Sequence, residues 1–130
     1  MPIRYSFVLW WGFVTYSGVF FLWAVLSTYG LSYGLGAQVA GYITVCALVL
    51  VATRFLGPLT AVAAIGYGIG FGLMHIVLDA LVLLPSIGFS IFFTPFVWVS
   101  YFVVAVTPLL YVLYSGVTRG NDPDAPIVLP

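Results

Sequence analysis

Four apolar runs, residues 5–28, 37–53, 59–84 and 91–115, take up most of the 130-residue chain. As helices, all four fall in or above the range of roughly 17 to 25 residues that crosses a bilayer, the second run being short but adequate. Peptide groups in hydrocarbon must be satisfied within the segment itself, and a helix does this. The expected fold is therefore all-α: an integral membrane bundle of four transmembrane helices. It forms one domain over residues 1–118, followed by a short polar, proline-rich tail over residues 119–130. With 64% hydrophobic and 5% charged residues and a mean hydropathy of +1.24, no soluble domain can be fitted in as well.

The breaks between runs carry turn chemistry. Residues 29–36, "YGLSYGLG", supply glycines and tyrosines suited to an interfacial loop, and "RFLGP", residues 54–58, supplies a charge, a glycine and a helix-starting proline. "PSIGFS", residues 85–90, reads as a tight uncharged turn. The third run would span about 39 Å as one helix, longer than the core, which implies tilt or protruding ends. Pro108 inside the fourth run predicts a kink. The first run exceeds a signal-peptide core in length and lacks a small-residue cleavage site, so it is read as a retained helix.

Charge sets the topology. Arg4, Arg54 and Arg119 fall on one side of a four-span chain, which places both termini in the cytoplasm by the positive-inside rule. The implied location is multi-pass in a prokaryotic cytoplasmic membrane. Trp23, Tyr29 and Tyr33 at the outer end, and Tyr111 and Tyr114 at the inner end, suit interfacial aromatic belts. The three arginines balance Asp79, Asp122 and Asp124, leaving no basic surface for nucleic acid. The expected partners are the lipid bilayer and other membrane subunits or copies of the same chain.

The third run holds the informative cluster, "GYGIGFGLMHIVLD", residues 66–79. Ala64, Gly68, Gly72, His75 and Asp79 follow one another at helical spacings and share a face. Gly66 and Gly70 make a second small-residue pair on an adjacent face, so this helix is expected at the centre of packing. His75 and Asp79 lie about 5 Å and about 11 Å beyond the midpoint of the run. Their separation of four residues lets them pair, with Ser86, Thr94 and Ser100 as further hydroxyl partners. An intramembrane ionisable pair reads either as a proton- or cation-binding site or as a polar clamp that fixes packing. One acid and one histidine, neither at the deepest point, favour the clamp.

Much chemistry is excluded. There is no lysine for a Schiff base and no glutamate, and the lone Cys46 reads as a small buried apolar residue that forms no internal disulfide or redox pair. No nucleophile, zinc-protease, phosphate-loop or dinucleotide motif occurs. The ligands for a metal site are missing. His75 could supply only one axial ligand to a haem or chlorophyll at a subunit interface. "HIVLD", residues 75–79, resembles the H-x-x-x-D element of succinate dehydrogenase membrane anchors over five residues. The arginine expected ahead of that histidine is Met74 here, and the additional haem-ligand histidine has no counterpart. At the depth where small multidrug transporters need a glutamate, the first run offers Thr15, Tyr16 and Ser17.

Two functions follow as expectations. The first is a non-catalytic structural or accessory subunit of a larger membrane assembly. The alternative is a homo-oligomeric small transporter or channel that uses Asp79 and His75 for a proton, a cation or a small cationic solute.

Overall fold

The structure is a computed structural model that describes residues 4–57 and 59–120, with side chains described as far as residue 116. Four long helices dominate it: α1 (Tyr5–Thr28), α2 (Leu35–Phe55), α3 (Ala61–Val82) and α5 (Pro95–Gly120). A single turn, α4 (Leu84–Ile87), and a 3-10 segment, Phe89–Phe93, join α3 to α5. All four long helices are apolar and long enough to cross a membrane, α5 over Pro95–Gly116. The architecture is compatible with a small multi-pass membrane protein. Among the described residues no strand occurs.

Two boundaries differ from expectation, each for a local reason. Thr60 caps α3 by accepting a hydrogen bond from the Ala63 N–H at 3.2 Å, and the helix ends at Val82. At 22 residues it is about 33 Å long, so the excess length expected of the third run is not there. The predicted turn at 85–90 is instead the α4 turn, ended by Gly88 at φ 77°, and the beginning of the 3-10 segment. That segment also takes up the first residues expected of the fourth span. Trp98 Nε1 donates to the Phe92 carbonyl at 2.6 Å and ties the segment to α5, whose helix begins at Pro95 with its fixed φ. α5 continues through Pro108. Pro58 and the tail beyond residue 120 lie outside the described residues.

Packing is uneven along the bundle. α3 packs most extensively on α5, while α1 lies against both α2 and α3. Val45, Val49 and Ala52 of α2, Tyr67 and Phe71 of α3, and Val104 of α5 form a buried cluster. Most of it sits toward the end that carries Arg4 and Arg54. The Arg4 N–H donates to the Tyr67 hydroxyl at 2.9 Å and closes that end. Buried threonines satisfy themselves within their own helices, Thr53 on the Val49 carbonyl at 2.7 Å and Thr107 on the Val103 carbonyl at 2.6 Å. The outward stripe of α3, Val62, Ile65, Ile69, Leu73 and Val77, is exposed hydrocarbon.

Glycine sets the closest approach. A Cβ on Gly68 would run into the Ala105 backbone oxygen, so α3 and α5 touch main chain to main chain there. Gly72 faces the same helix with more room, its Cβ position lying 3.7 Å from the Ala105 Cβ. Gly70 points the other way, toward Val8 of α1. Ala64 is fully buried and Gly66 half-buried on this helix.

Candidate functional site: a chamber at the far end of the bundle

Beyond the core cluster the four helices diverge around a chamber of about 710 Å³. It is bordered by Tyr16, Phe20 and Trp23 of α1, Gly41 and Val45 of α2, His75 and Asp79 of α3, and Phe96, Ser100 and Tyr101 of α5. Ser27, Tyr33, Ser90 and Thr94, all exposed, form its rim at the end opposite Arg4 and Arg54. A space of this size is in the usual range for a small-molecule site, roughly 300 to 1,000 Å³.

Residues with no Cβ, or with flat rings, hold it open. Gly41 sits under the Phe96 ring, where a Cβ would come within 3.2 Å of Cζ. Phe96 in turn meets Trp23 edge-on at 5.4 Å and Tyr42 at 4.8 Å between ring centroids. Trp23, expected in an interfacial belt, is therefore part of the chamber wall. Tyr29 and Tyr33 are exposed.

His75 and Asp79 both border the chamber, but they do not bond to each other. The His75 imidazole is buried, and its Nε2 lies 3.1 Å from Thr15 Oγ1 of α1. With the Thr15 hydroxyl donating to the Gly12 carbonyl at 3.1 Å, Nε2–H is assigned as the donor in the histidine contact. In this tautomer Nδ1 is left as an acceptor. Tyr16 meets the imidazole edge-on at 5.6 Å between centroids. Asp79 looks to α5 instead: the Tyr101 hydroxyl donates to its Oδ2. Ser100 is occupied with the Phe96 carbonyl at 3.0 Å and Thr94 with the Ser90 carbonyl at 3.4 Å, so neither serves the acid.

Tyr16 is the anomaly of the site. Its side chain is 8% exposed, and its hydroxyl is buried without a hydrogen-bond partner. The hydroxyl lies beside Asp79 but closes no bond of ordinary geometry with it. A buried hydroxyl left in this state costs about 1 to 3 kcal/mol.

Arg4 and Arg54 are exposed at the opposite end, Arg54 in the last turn of α2, where a cation complements the helix dipole. The side chain of Arg119 lies outside those described. Cys46 is half-buried rather than buried, with its sulfur 3.9 Å from Thr107 Oγ1. Sequence reasoning gave no role to Thr15, Tyr16 or Tyr101. Their partners are 60 and 22 positions away in the chain, or absent, so spacing carried no signal for them.

Compared with family models, curated proteins and solved structures, the chain matches none.

Proposed function

We propose that this chain is a multi-pass membrane protein, with both termini cytoplasmic, that binds a small cationic solute in the chamber and carries it through the membrane. One observation supports this above the others. The single carboxylate and single imidazole of the described residues border the same chamber, and no described arginine lines it. An ionisable side chain held at membrane depth and facing a cavity marks a solute pathway by default. With Arg4 and Arg54 on the cytoplasmic side, the chamber rim faces away from the cytoplasm. Asp79 supplies the countercharge, Tyr101 fixes one of its oxygens, and the His75 imidazole borders the same space.

The test is charge movement in proteoliposomes, with jumps in proton, sodium, methylammonium or phenethylammonium concentration. The wild type gives a saturable current with at least one of these, and Asp79→Asn abolishes it while the oligomer on gel filtration is unchanged. A wild type silent to all four overturns the transport reading. If Asp79→Asn then also releases co-extracted subunits in native mass spectrometry, the protein is an accessory subunit and the acid a packing clamp.

A further inference from the structure

The chamber also limits which cation it can hold. A bare inorganic ion fits it poorly. A hard divalent cation asks for about six or more oxygen ligands, whereas the described residues hold no group of three or more His, Cys, Asp or Glu side chains. The volume, about 710 Å³, is that of an organic molecule. With one carboxylate and no described arginine on the walls, the complementary ligand carries a single positive charge.

The walls say more about its body. Phe20, Trp23 and Phe96 bring rings from two helices to the chamber, and aromatic faces attract organic cations while accepting hydrocarbon. The polar groups restrict its head. Tyr101 occupies Asp79 Oδ2, and a carboxylate has further lone pairs to offer. Beside it, the Tyr16 hydroxyl is more than nine-tenths buried and unpartnered. A head group that donates a hydrogen bond meets this acceptor-rich corner. A quaternary head, which presents only methyl groups, leaves it unmet.

We propose that the solute is a lipophilic protonated amine, with at least one N–H directed at the Asp79 carboxylate and a hydrocarbon body among Phe20, Trp23 and Phe96. This rests on the chamber being a cation site, as argued above. The N–H adds a charge-assisted hydrogen bond that a quaternary analogue cannot make, and such bonds are roughly twice as strong as neutral ones. The neutral carbon isostere keeps only the hydrophobic contacts.

Three probes of nearly equal shape test it by equilibrium binding to the wild-type protein in lipid nanodiscs, read by tryptophan fluorescence. They are protonated N,N-dimethyl-2-phenylethylamine, its N-trimethyl analogue, and the uncharged isostere (3-methylbutyl)benzene. The tertiary amine is expected to bind at least tenfold more tightly than the trimethyl compound and at least a hundredfold more tightly than the isostere. Asp79→Asn brings the three within about threefold of one another, whereas Tyr16→Phe narrows only the first gap. The ranking is measured on the wild type, so it stands even where a variant fails to fold. Equal or tighter binding of the trimethyl compound overturns the amine assignment and leaves the cation site intact. Equal binding of the isostere, unaffected by Asp79→Asn, overturns the cation site as well. No saturable binding by any probe, alongside an Asp79-dependent current with sodium or protons, overturns the amine assignment alone.

Discussion

Tyr101 and Asp79 join α5 to α3 through a hydroxyl that donates to a half-buried carboxylate. The bond lies at the boundary between the filled and the open halves of the bundle. It therefore both holds two helices together and shapes the chamber.

Replacing Tyr101 with Phe removes the donor and leaves the acid. A hydrogen bond to a charged group contributes about 1.5 to 3 kcal/mol, so unfolding in mixed micelles should show a loss of that order. In a double-mutant cycle with Asp79→Asn, a coupling below about 0.5 kcal/mol would contradict the contact.

Gly68 and Gly72 give a contrast on one helix face. Gly68→Ala drives a methyl into the Ala105 backbone, which cannot move aside as a side-chain tip can. Overpacking costs about 1 to 3 kcal/mol, and this position belongs at the upper end. Gly72→Ala meets nothing closer than 3.7 Å and should lie within about 0.5 kcal/mol of the wild type or gain slightly from helix propensity. Denaturant midpoints of the two variants check the order.

Thr15→Val deletes the partner of His75 while keeping its shape. The loss should be near 1 kcal/mol. The more telling readout is nitrogen NMR of the imidazole. In the wild type the proton resides on Nε2, and in the variant that preference weakens. A wild-type proton on Nδ1 would contradict the assigned donor.

Phe71→Ala and Phe96→Ala delete the same atoms in different surroundings. Phe71 is fully enclosed by the core cluster, and its loss should cost about 3 to 5 kcal/mol. Phe96 borders a space that is already open, so its truncation should cost less than half as much and instead weaken solute binding. Unfolding curves and binding isotherms on the two variants separate the effects.

The sequence disclosed the long helices because hydropathy over about twenty residues does not depend on tertiary context. Their ends were less legible. Thr60 capped α3 beyond the proline that punctuated the sequence. The α3–α5 connection coiled into short helical turns because the Trp98 indole, six residues from the carbonyl it binds, anchored it. The site was half legible: His75 and Asp79 stood out as rare ionisable residues, and both face the chamber. Their spacing of four suggested that each would satisfy the other. Instead α1 offered the imidazole a threonine and α5 offered the carboxylate a tyrosine. Nothing local distinguishes Tyr101 or Tyr16 from the other tyrosines among the nine in the chain.

The contact of Gly68 on Ala105 has a mechanical consequence. Because main chain meets main chain there, α3 and α5 cannot roll or slide on one another without a backbone collision, and they behave as one stiff plate that carries Asp79 and Tyr101 at fixed separation. α1 is seated differently, its glycines Gly12 and Gly18 resting on the pliable side chains of Met74 and Leu48. Of the walls around the chamber, the one bearing Tyr16, Phe20 and Trp23 is therefore the compliant one. Any strain on the chamber falls on α1 and leaves the Asp79–Tyr101 pair in place.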